Sequence, residues 1–306
     1  MENRKMTYKS APRDARFENS LCGMRLNGGG QQASGAGEGD VTGTPYLTFE
    51  AFDRIPFLKH GFSTRYGGVS GGCLSSMNLG FGRGDTRENL VENYRRMGAA
   101  IGFRTEDAVI SDQTHTTNLR VVTAEDRGKG LFRPKDYSDV DGLLTAEPGI
   151  PLVTLYADCV PLFFADTTHR AVALSHSGWK GTVNHMAEVT MERMRREFGT
   201  GPEDLTVAIG PSICQDCYEV TGNVIEAFRD SFPREIWKDL FYRKDEEHWQ
   251  LNLWYASYWQ FRNAGLAPAQ ISLPGVCTCC NPDVLFSHRA SGGKRGNLGA
   301  FLMLCE

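Results

Sequence analysis

Apolar and polar positions alternate most clearly between residues 154 and 180, where three apolar runs each end in a polar cluster. The first run ends at 157–159, the second covers 161–165, and the third covers 171–175. Runs of this length between polar turns are typical of β-strands. An amphipathic helix is predicted after the third run, to about residue 198. Reactive side chains therefore fall at strand ends, where a rigid scaffold presents them to a cleft.

The same alternation of strand and helix patterns continues over most of the chain. Folded character is predicted to begin near residues 46–49. Strands are predicted at 109–110, 119–122, 143–145, 205–209, 271–273 and 298–304, and helices at about 85–101, 223–231 and 252–264. No internal repeat or interior linker interrupts this order. Alternating strands and helices favour a single α/β domain with a mixed sheet, which we place at residues 45–306.

The first 44 residues differ from the rest in composition. They are rich in glycine, serine, asparagine and charged residues. Such a segment buries too little apolar surface to offset its chain entropy, so we predict a disordered N-terminal extension over residues 1–44. It also lacks the apolar stretch of a signal peptide.

Overall charge and composition exclude several classes of protein. The formal net charge is −4 and there is no tract rich in lysine or arginine, so nucleic acid is not an expected partner. No run of about 18 apolar residues is present, so no membrane span is expected. Nine cysteines, an odd number without a secretion signal, favour reduced thiols and a cytoplasmic location. The oligomeric state is not predicted.

Three residues with metal-binding side chains lie beside predicted strands: His115, Cys159 and His176. Catalytic zinc sites typically use three protein ligands and leave a fourth position open, and a His₂Cys set accepts zinc or copper. The common zinc-enzyme motifs are missing, so the spacing of these three residues alone does not establish a metal site. A cysteine hydrolase is the alternative, with Cys159 as nucleophile, His176 as base and Asp158 as orienting group.

A second group of cysteines comprises Cys214-x₂-Cys217 and Cys277-x-Cys279-Cys280. Two close cysteine pairs can form a structural Cys₄ zinc site. The second half is irregular, and reduced structural thiols are the alternative that the sequence favours.

A glycine-rich segment at residues 60–70 contains Arg65, Gly67 and Gly68. Backbone amides of paired glycines and a neighbouring guanidinium group can hold an anion. The alternative is a glycine-rich turn with a surface arginine.

The chain resembles the YfiH family, also called the laccase-domain or multicopper polyphenol oxidase family and now described as purine nucleoside phosphorylases. The resemblance covers about residues 45–306 in order. Its segments are HGFSTRYGGVS at 60–70, SMNLGFGRGD at 76–85, QTH at 113–115, DVDGLLT at 139–145, YADCVPLFFAD at 156–166, HSGWKGT at 176–182, IGPSICQDCYEV at 209–220 and FSHR at 286–289. It implies an α/β (α+β type) fold: one layered catalytic domain with mixed β-sheets flanked by helices.

The resemblance also implies an activity and a cofactor. Its zinc ligands fall on His115, Cys159 and His176, with copper as the other metal considered. The implied reactions are phosphorolysis of adenosine, inosine, guanosine and S-methyl-5'-thioadenosine, together with adenosine deamination. The expected partners are therefore purine nucleosides and phosphate. Two departures stand out, because Lys180 occupies a position where arginine is common and His288 one where tyrosine is frequent.

Further site residues are predicted around this metal. Arg65, Gly67 and Gly68 are expected to hold phosphate, and Lys180 adds charge. Asp141 or Asp158 is expected to orient a ligand histidine or to take a proton. Predicted catalytic residues are thus Arg65, Asp158 and Lys180; predicted substrate-binding residues are Arg65, Gly67, Gly68 and Asp141.

Two other functions remain open from sequence. A copper-dependent phenol oxidase is disfavoured because multicopper centres need many histidines and the chain has seven. A non-catalytic zinc-binding protein would instead have a closed coordination sphere.

Overall fold

The computed structural model describes residues 43–306, together with residues 5–6, 9, 17, 23–27 and 39–40. The strands in this part of the chain are β1 (Lys5–Met6), β2 (Met24–Asn27), β3 (Gly39–Asp40), β4 (Tyr46–Phe49), β5 (Leu58–Ser63), β6 (Val109–Ile110), β7 (Leu119–Val121), β8 (Gly142–Thr145), β9 (Leu152–Tyr156), β10 (Val160–Asp166), β11 (Ala171–Ser177), β12 (Leu205–Ile209), β13 (Glu219–Thr221), β14 (Phe241–Arg243), β15 (His248–Leu251), β16 (Ile271–Ser272) and β17 (Leu298–Leu304). The helices are α1 (Glu50–Asp53), α2 (Arg87–Ile101), α3 (Trp179–Val183), α4 (Met186–Phe198), α5 (Gly222–Ser231), α6 (Trp237–Leu240), α7 (Leu253–Asn263) and α8 (His288–Ser291).

Two six-stranded sheets form the centre of the domain. The first has the order β16-β12-β10-β11-β8-β7 and the second the order β2-β4-β5-β17-β9-β6. Most neighbours are antiparallel, whereas β12/β16, β7/β8 and β6/β9 are parallel pairs at the sheet edges. A small third sheet has the order β13-β15-β14. The predicted mixed sheets are confirmed.

Strand β10 shows why the two sheets stack. Leu162 and Phe164 pack in one core cluster with residues of α4, α5 and α7, whereas Phe163 and Ala165 pack in a second cluster with residues of β4, β5 and β17. Successive side chains of a strand point to opposite faces, so the first sheet is buried on both sides. Its strands therefore have the nearly continuous apolar sequence seen in the chain.

The outer face of the second sheet is covered by α2. Tyr94 and Met97 of this helix share a cluster with Phe301 of β17 and Val153 of β9. The layers are therefore α2, the second sheet, the first sheet, and a group containing α4, α5 and α7. This arrangement matches the expected layered domain flanked by helices. Among the described helices, none combines the length and apolar character needed to cross a membrane.

The link between β9 and β10 passes from one sheet to the other, because β9 belongs to the second sheet and β10 to the first. Residues 157–159 form this link. Asp158 has a φ of 91°, a left-handed conformation that L-residues adopt rarely and that turns the chain sharply. Cys159 therefore lies at the junction of the two sheets.

The predicted disordered extension needs a correction at residues 24–27. These residues form β2, which pairs antiparallel with β4, with Met24 opposite Phe49. Met24 and Leu26 alternate with the exposed Arg25 and pack against the core between the sheets, a strand periodicity in a segment too short to stand out by composition. Most of the remaining positions in 1–44 lie outside the described residues.

Candidate metal centre and active site

The structure brings together the three residues that the sequence singled out as metal ligands. One donor atom each of His115, Cys159 and His176 lies within 4.8 Å of the other two. Cys159 Sγ is 3.9 Å from His115 Nε2, and the two imidazole rings meet edge to face with centroids 4.9 Å apart. A metal with bonds of about 2.0–2.3 Å needs its donors about 3.5 Å apart, so small side-chain movements suffice. The donor set fits zinc and also copper.

Three different parts of the fold supply these side chains. His115 follows β6 in a loop, Cys159 occupies the link between β9 and β10, and His176 lies near the end of β11. His176 is buried, Cys159 is half-buried and His115 is exposed. The cluster therefore opens to solvent on the His115 side.

Asp141 holds two of the three candidate ligands in place. Its fully buried carboxylate accepts hydrogen bonds from the backbone amides of Thr114, His115 and Thr116 at 2.9, 3.1 and 3.0 Å. It also lies 2.7 Å from Nδ1 of His176, which leaves Nε2 to face the cluster. Burial raises the pKa of Asp141, but the bonds from His176 and the amides outweigh it and lower this pKa below its usual value. Asp141, rather than Asp158, contacts and orients His176.

Cys159 and His176 form a charged pair. Burial raises the pKa of the Cys159 thiol, but the two neighbouring histidines outweigh it and lower this pKa to about 6. Burial lowers the pKa of His176, whereas Cys159 and Asp141 raise it to about 9. The sulfur is therefore a thiolate at neutral pH, the form that binds metals and attacks electrophiles.

Gly178 gives the cluster its close packing. A Cβ atom at this position would lie 2.9 Å from Cδ2 of His115 and 3.1 Å from Sγ of Cys159. Any larger residue would displace one of the two ligands. Gly178 also caps α3, so this short helix begins directly beside the cluster.

The structure gives the predicted phosphate holders other hydrogen-bond partners. The guanidinium of Arg65 donates to the carbonyls of Ser75 and Pro282 at 3.0 and 2.7 Å and lies over the Phe286 ring. The amide of Gly68 donates to the hydroxyl of Ser76 at 3.1 Å. Gly67 has a φ of 86° and packs against the backbone of residues 43–44. These contacts hold the glycine-rich turn, and binding of phosphate there stays a prediction.

Asp158 contacts other groups than the histidine it was expected to orient, and the role of Lys180 stays a prediction. The carboxylate of Asp158 accepts hydrogen bonds from the hydroxyl of Thr278 at 2.6 Å and from the amide of Arg289 at 2.7 Å. It anchors two loops and does not orient His176. Lys180 is exposed on α3, with its ammonium 5.8 Å from the ring centroid of Trp179.

Arg295 and Arg83 are two basic residues that sequence reasoning missed. Arg295 is only 9 % exposed, and its Nε is buried without a hydrogen-bond partner among the described residues. Its Nη1 donates to Oδ1 of Asn297 at 2.7 Å, and Nε of Arg83 donates to the same oxygen at 3.1 Å. Burial and the neighbouring Arg83 lower the pKa of Arg295 to about 10, while attraction to Asp158 and Cys159 opposes them.

Two guanidinium groups thus converge on Oδ1 of Asn297, and neither is hydrogen-bonded to a carboxylate among the described residues. Within the described part of the chain, neither arginine has an ion-pair partner. An anion is the ligand that relieves such a concentration of positive charge. Both residues lie in glycine-rich loops, and the loops are 212 positions apart in the sequence. No sequence motif therefore predicted that the two arginines would meet.

Fold and site define a layered α/β protein with an open His₂Cys cluster where its two sheets meet. Residues 59–305 match the family model described as multi-copper polyphenol oxidoreductase laccase, and the chain belongs to this family.

Its relatives carry a different description. The chain is 34% identical over 251 residues to purine nucleoside phosphorylase YlmD of Bacillus subtilis, covering 80% of this chain and 88% of that protein. It is 35% identical over 264 residues to a purine nucleoside phosphorylase of Bacteroides thetaiotaomicron, covering 84% and 96%.

Solved structures agree with the fold. The crystal structure of YlmD from Geobacillus stearothermophilus superposes with a TM-score of 0.79 at 33% identity, covering 85% of this chain and 96% of that one. A hypothetical protein YfiH of Bacillus licheniformis gives a TM-score of 0.81 at 31% identity, covering 86% and 97%.

Proposed function

We propose that the protein is a zinc-dependent purine nucleoside phosphorylase whose metal is held by His115, Cys159 and His176. The observation that carries the proposal is the open cluster of two imidazoles and one thiolate, all within 4.8 Å and exposed on the His115 side. Three protein ligands with a free fourth position are typical of catalytic rather than structural zinc. The names of the relatives indicate the substrates, a purine nucleoside and phosphate.

The residues of this chain have distinct parts in the reaction. When bound, zinc supplies a Lewis acid. Asp141 fixes the loop of His115 and the ring of His176, so the metal site is preorganised. Arg295 and Arg83 bind the phosphate, because two guanidinium groups that meet at one amide oxygen match a tetrahedral anion. Arg65 is the alternative phosphate residue.

The proposed substrates are adenosine, inosine, guanosine and S-methyl-5'-thioadenosine, with adenosine deamination as a second reaction. Phosphorolysis breaks the bond between ribose and base and joins phosphate to the ribose. Deamination breaks the bond between C6 and the amino nitrogen of adenosine, joins oxygen from water to C6, and releases ammonia. The second reaction needs no phosphate, which allows the two to be measured separately.

Two other functions have some support. A multicopper oxidase agrees with the name of the family, but only two of the seven histidines lie in the cluster. One His₂Cys set holds one metal, so this donor supply fits a single ion better than a multicopper centre. A cysteine hydrolase is favoured by the thiolate character of Cys159 and by the Asp141–His176 contact, which resembles a catalytic triad.

Elemental analysis combined with chromatography of adenosine reactions tests the proposal. With phosphate, the purified protein should release adenine and ribose 1-phosphate; without phosphate, only inosine should form. His115→Ala should lose both activities and the bound zinc of this site. His248→Ala, which changes a histidine paired with Asp245 outside the cluster, should keep them. Release of adenine without zinc, or oxidation of a phenol by the copper-loaded protein alone, would overturn the proposal.

A further inference from the structure

A second group of thiols lies outside the cluster described above. The Sγ atoms of Cys214, Cys217, Cys277 and Cys280 all lie within 4.8 Å of one another. Cys217 and Cys280 are 3.5 Å apart, and Cys214 and Cys280 are 3.9 Å apart. Four sulfurs around a tetrahedral zinc ion, with bonds of about 2.3 Å, are separated by about 3.8 Å. A disulfide would require about 2.05 Å.

The structure also resolves the irregular second half of this cysteine pattern. Its ligand pair is Cys277-x₂-Cys280, the same spacing as Cys214-x₂-Cys217, and Cys279 is not part of the four. The first pair follows β12 on a 3₁₀ turn, Gln215–Cys217. The second pair lies alongside it, because Ser212 and Cys277 form a parallel β-bridge. Two Cys-x₂-Cys pairs on adjacent loops are the usual framework of a Cys₄ zinc site.

Hydrogen bonds support a charged sulfur at Cys277. The amides of Cys214 and Cys280 both point to its Sγ, at 3.2 and 3.4 Å. Amide donors stabilise a thiolate and orient it as a ligand. Arg289 donates to the carbonyls of Cys217 and Glu219 at 3.2 and 2.7 Å, so its positive charge lies close to the four sulfurs. This charge offsets part of the negative charge that four thiolates have in excess over one divalent cation.

We propose that Cys214, Cys217, Cys277 and Cys280 bind a second, structural zinc ion. Four thiolates are a soft tetrahedral donor set, which zinc fills without need of a further ligand. The coordination sphere is closed by protein, in contrast to the open His₂Cys cluster. The site has its own ligands, since no residue is shared with the proposed catalytic metal site.

The position of this ion connects it to the Cys159 turn. Thr278, between two of the ligands, donates to the carboxylate of Asp158 at 2.6 Å. The amide of Ile213, next to a third ligand, donates to the backbone carbonyl of Asp158 at 3.0 Å. Zinc would therefore join the two loops that hold Asp158 in its left-handed conformation, and Cys159 is the next residue. Its loss should loosen the active site as well as the fold.

Metal stoichiometry under reducing conditions tests the proposal. After reconstitution with zinc and removal of excess metal, the wild-type protein should contain about two zinc ions per chain. His115→Ala and the double variant Cys277→Ser/Cys280→Ser should each retain about one. Cys73→Ser, an exposed cysteine far along the chain from the four, should retain two. Cys279→Ser should also retain two, and its losing one would overturn the ligand assignment.

Cobalt substitution keeps the test valid if the double variant does not fold. His115→Ala loaded with one Co²⁺ should show intense thiolate-to-cobalt charge-transfer absorption, and peptide mapping should show all four cysteines protected from alkylation until a chelator is added. The proposal would be overturned if that absorption were absent or if the metal-loaded protein were rapidly alkylated. It would also be overturned by iron in place of zinc in the purified protein, or by a Cys217–Cys280 disulfide under reducing conditions. None of these outcomes depends on nucleoside turnover, so they do not bear on the proposed activity.

Discussion

At the scale of single residues, the two arginines that meet at Asn297 make the sharpest prediction. If Arg295 holds the attacking phosphate, Arg295→Ala should slow phosphorolysis about 30- to 1,000-fold, the effect of losing a charge-assisted contact worth about 2–4 kcal/mol. Adenosine deamination uses water and should change much less. The measurement is the rate of both reactions on the same enzyme preparation at saturating adenosine.

Arg65→Ala is the matched comparison for Arg295→Ala. Because the Arg65 guanidinium donates to two backbone carbonyls, its loss should lower the melting temperature and affect both reactions equally. If Arg65→Ala lost phosphorolysis selectively and Arg295→Ala did not, the phosphate site would instead be the glycine-rich turn that the sequence predicted.

His60 makes a second prediction at this scale, concerning pH. Its ring is buried, and Nε2 accepts the amide hydrogen of Phe49 at 2.8 Å; the nearest carboxylate, Asp53, is 3.8 Å away. Burial lowers the pKa of His60 to about 3, against about 6.5 in the unfolded chain. Below pH 6.5 the unfolded chain therefore binds the proton and the folded protein does not, so the free energy of unfolding falls as the pH falls.

At pH 5 this group should cost about 2 kcal/mol of stability relative to pH 7.5. Urea unfolding of the wild type and of His60→Gln at both pH values measures it, since glutamine can still accept the Phe49 amide. Between pH 7.5 and pH 5, the unfolding free energy of the variant should decrease less than that of the wild type, and the difference should be about 2 kcal/mol. Equal losses in the two proteins would show that His60 is already protonated in the folded state.

At the scale of elements, the sequence predicted individual strands better than their partners. The apolar runs at 161–165 and 171–175 are observed as β10 and β11, and the helix predicted to begin near Asp85 is α2. That β9 lies in a different sheet from β10 could not be predicted, because strands buried on both faces have the same apolar sequence in either sheet. The register of Cys277 and Cys280 likewise depends on how two distant loops align.

The start of α3 gives a prediction at the same scale. Gly178→Ala should weaken zinc binding at the His₂Cys cluster, because the added Cβ lies within about 3 Å of His115 and Cys159. Gly181→Ala in the same helix is the control. Its Cβ would meet only ordinary contacts, at 3.5 Å and beyond, and alanine favours a helix interior over glycine. Competition with a chromophoric chelator should show at least tenfold weaker binding in the first variant alone. Similar affinities in both would mean that His115 moves aside without cost.

At the scale of the whole molecule, the sequence predicted the layered α/β class and the cluster at His115, Cys159 and His176, but not what joins the residues around it. The three ligands stood out because each is a strong metal donor beside an apolar run. Asp141 was one of two acidic residues expected to orient a histidine, and only the structure shows its hydrogen bonds to residues 114–116 and to His176. Arg83 and Arg295 meet through folding of two loops, which no local pattern records.

The N-terminal segment provides the last prediction, which depends on sheet order. Strand β2 lies at one edge of the second sheet, four positions from β9 and the metal cluster. Deleting residues 1–44 removes β2 and uncovers the apolar surface beneath Met24 and Leu26, at a cost of about 1–3 kcal/mol. Deleting only residues 1–22 keeps the strand, so the difference in unfolding free energy between the two truncated proteins reports the contribution of residues 23–44, which include β2. Nucleoside phosphorolysis should be the same in both, because the lost strand is remote from the site.

Equal stabilities of the two truncated proteins would show that β2 adds nothing to the fold. Loss of activity in the longer deletion alone would mean that this edge supports the active site across the whole sheet.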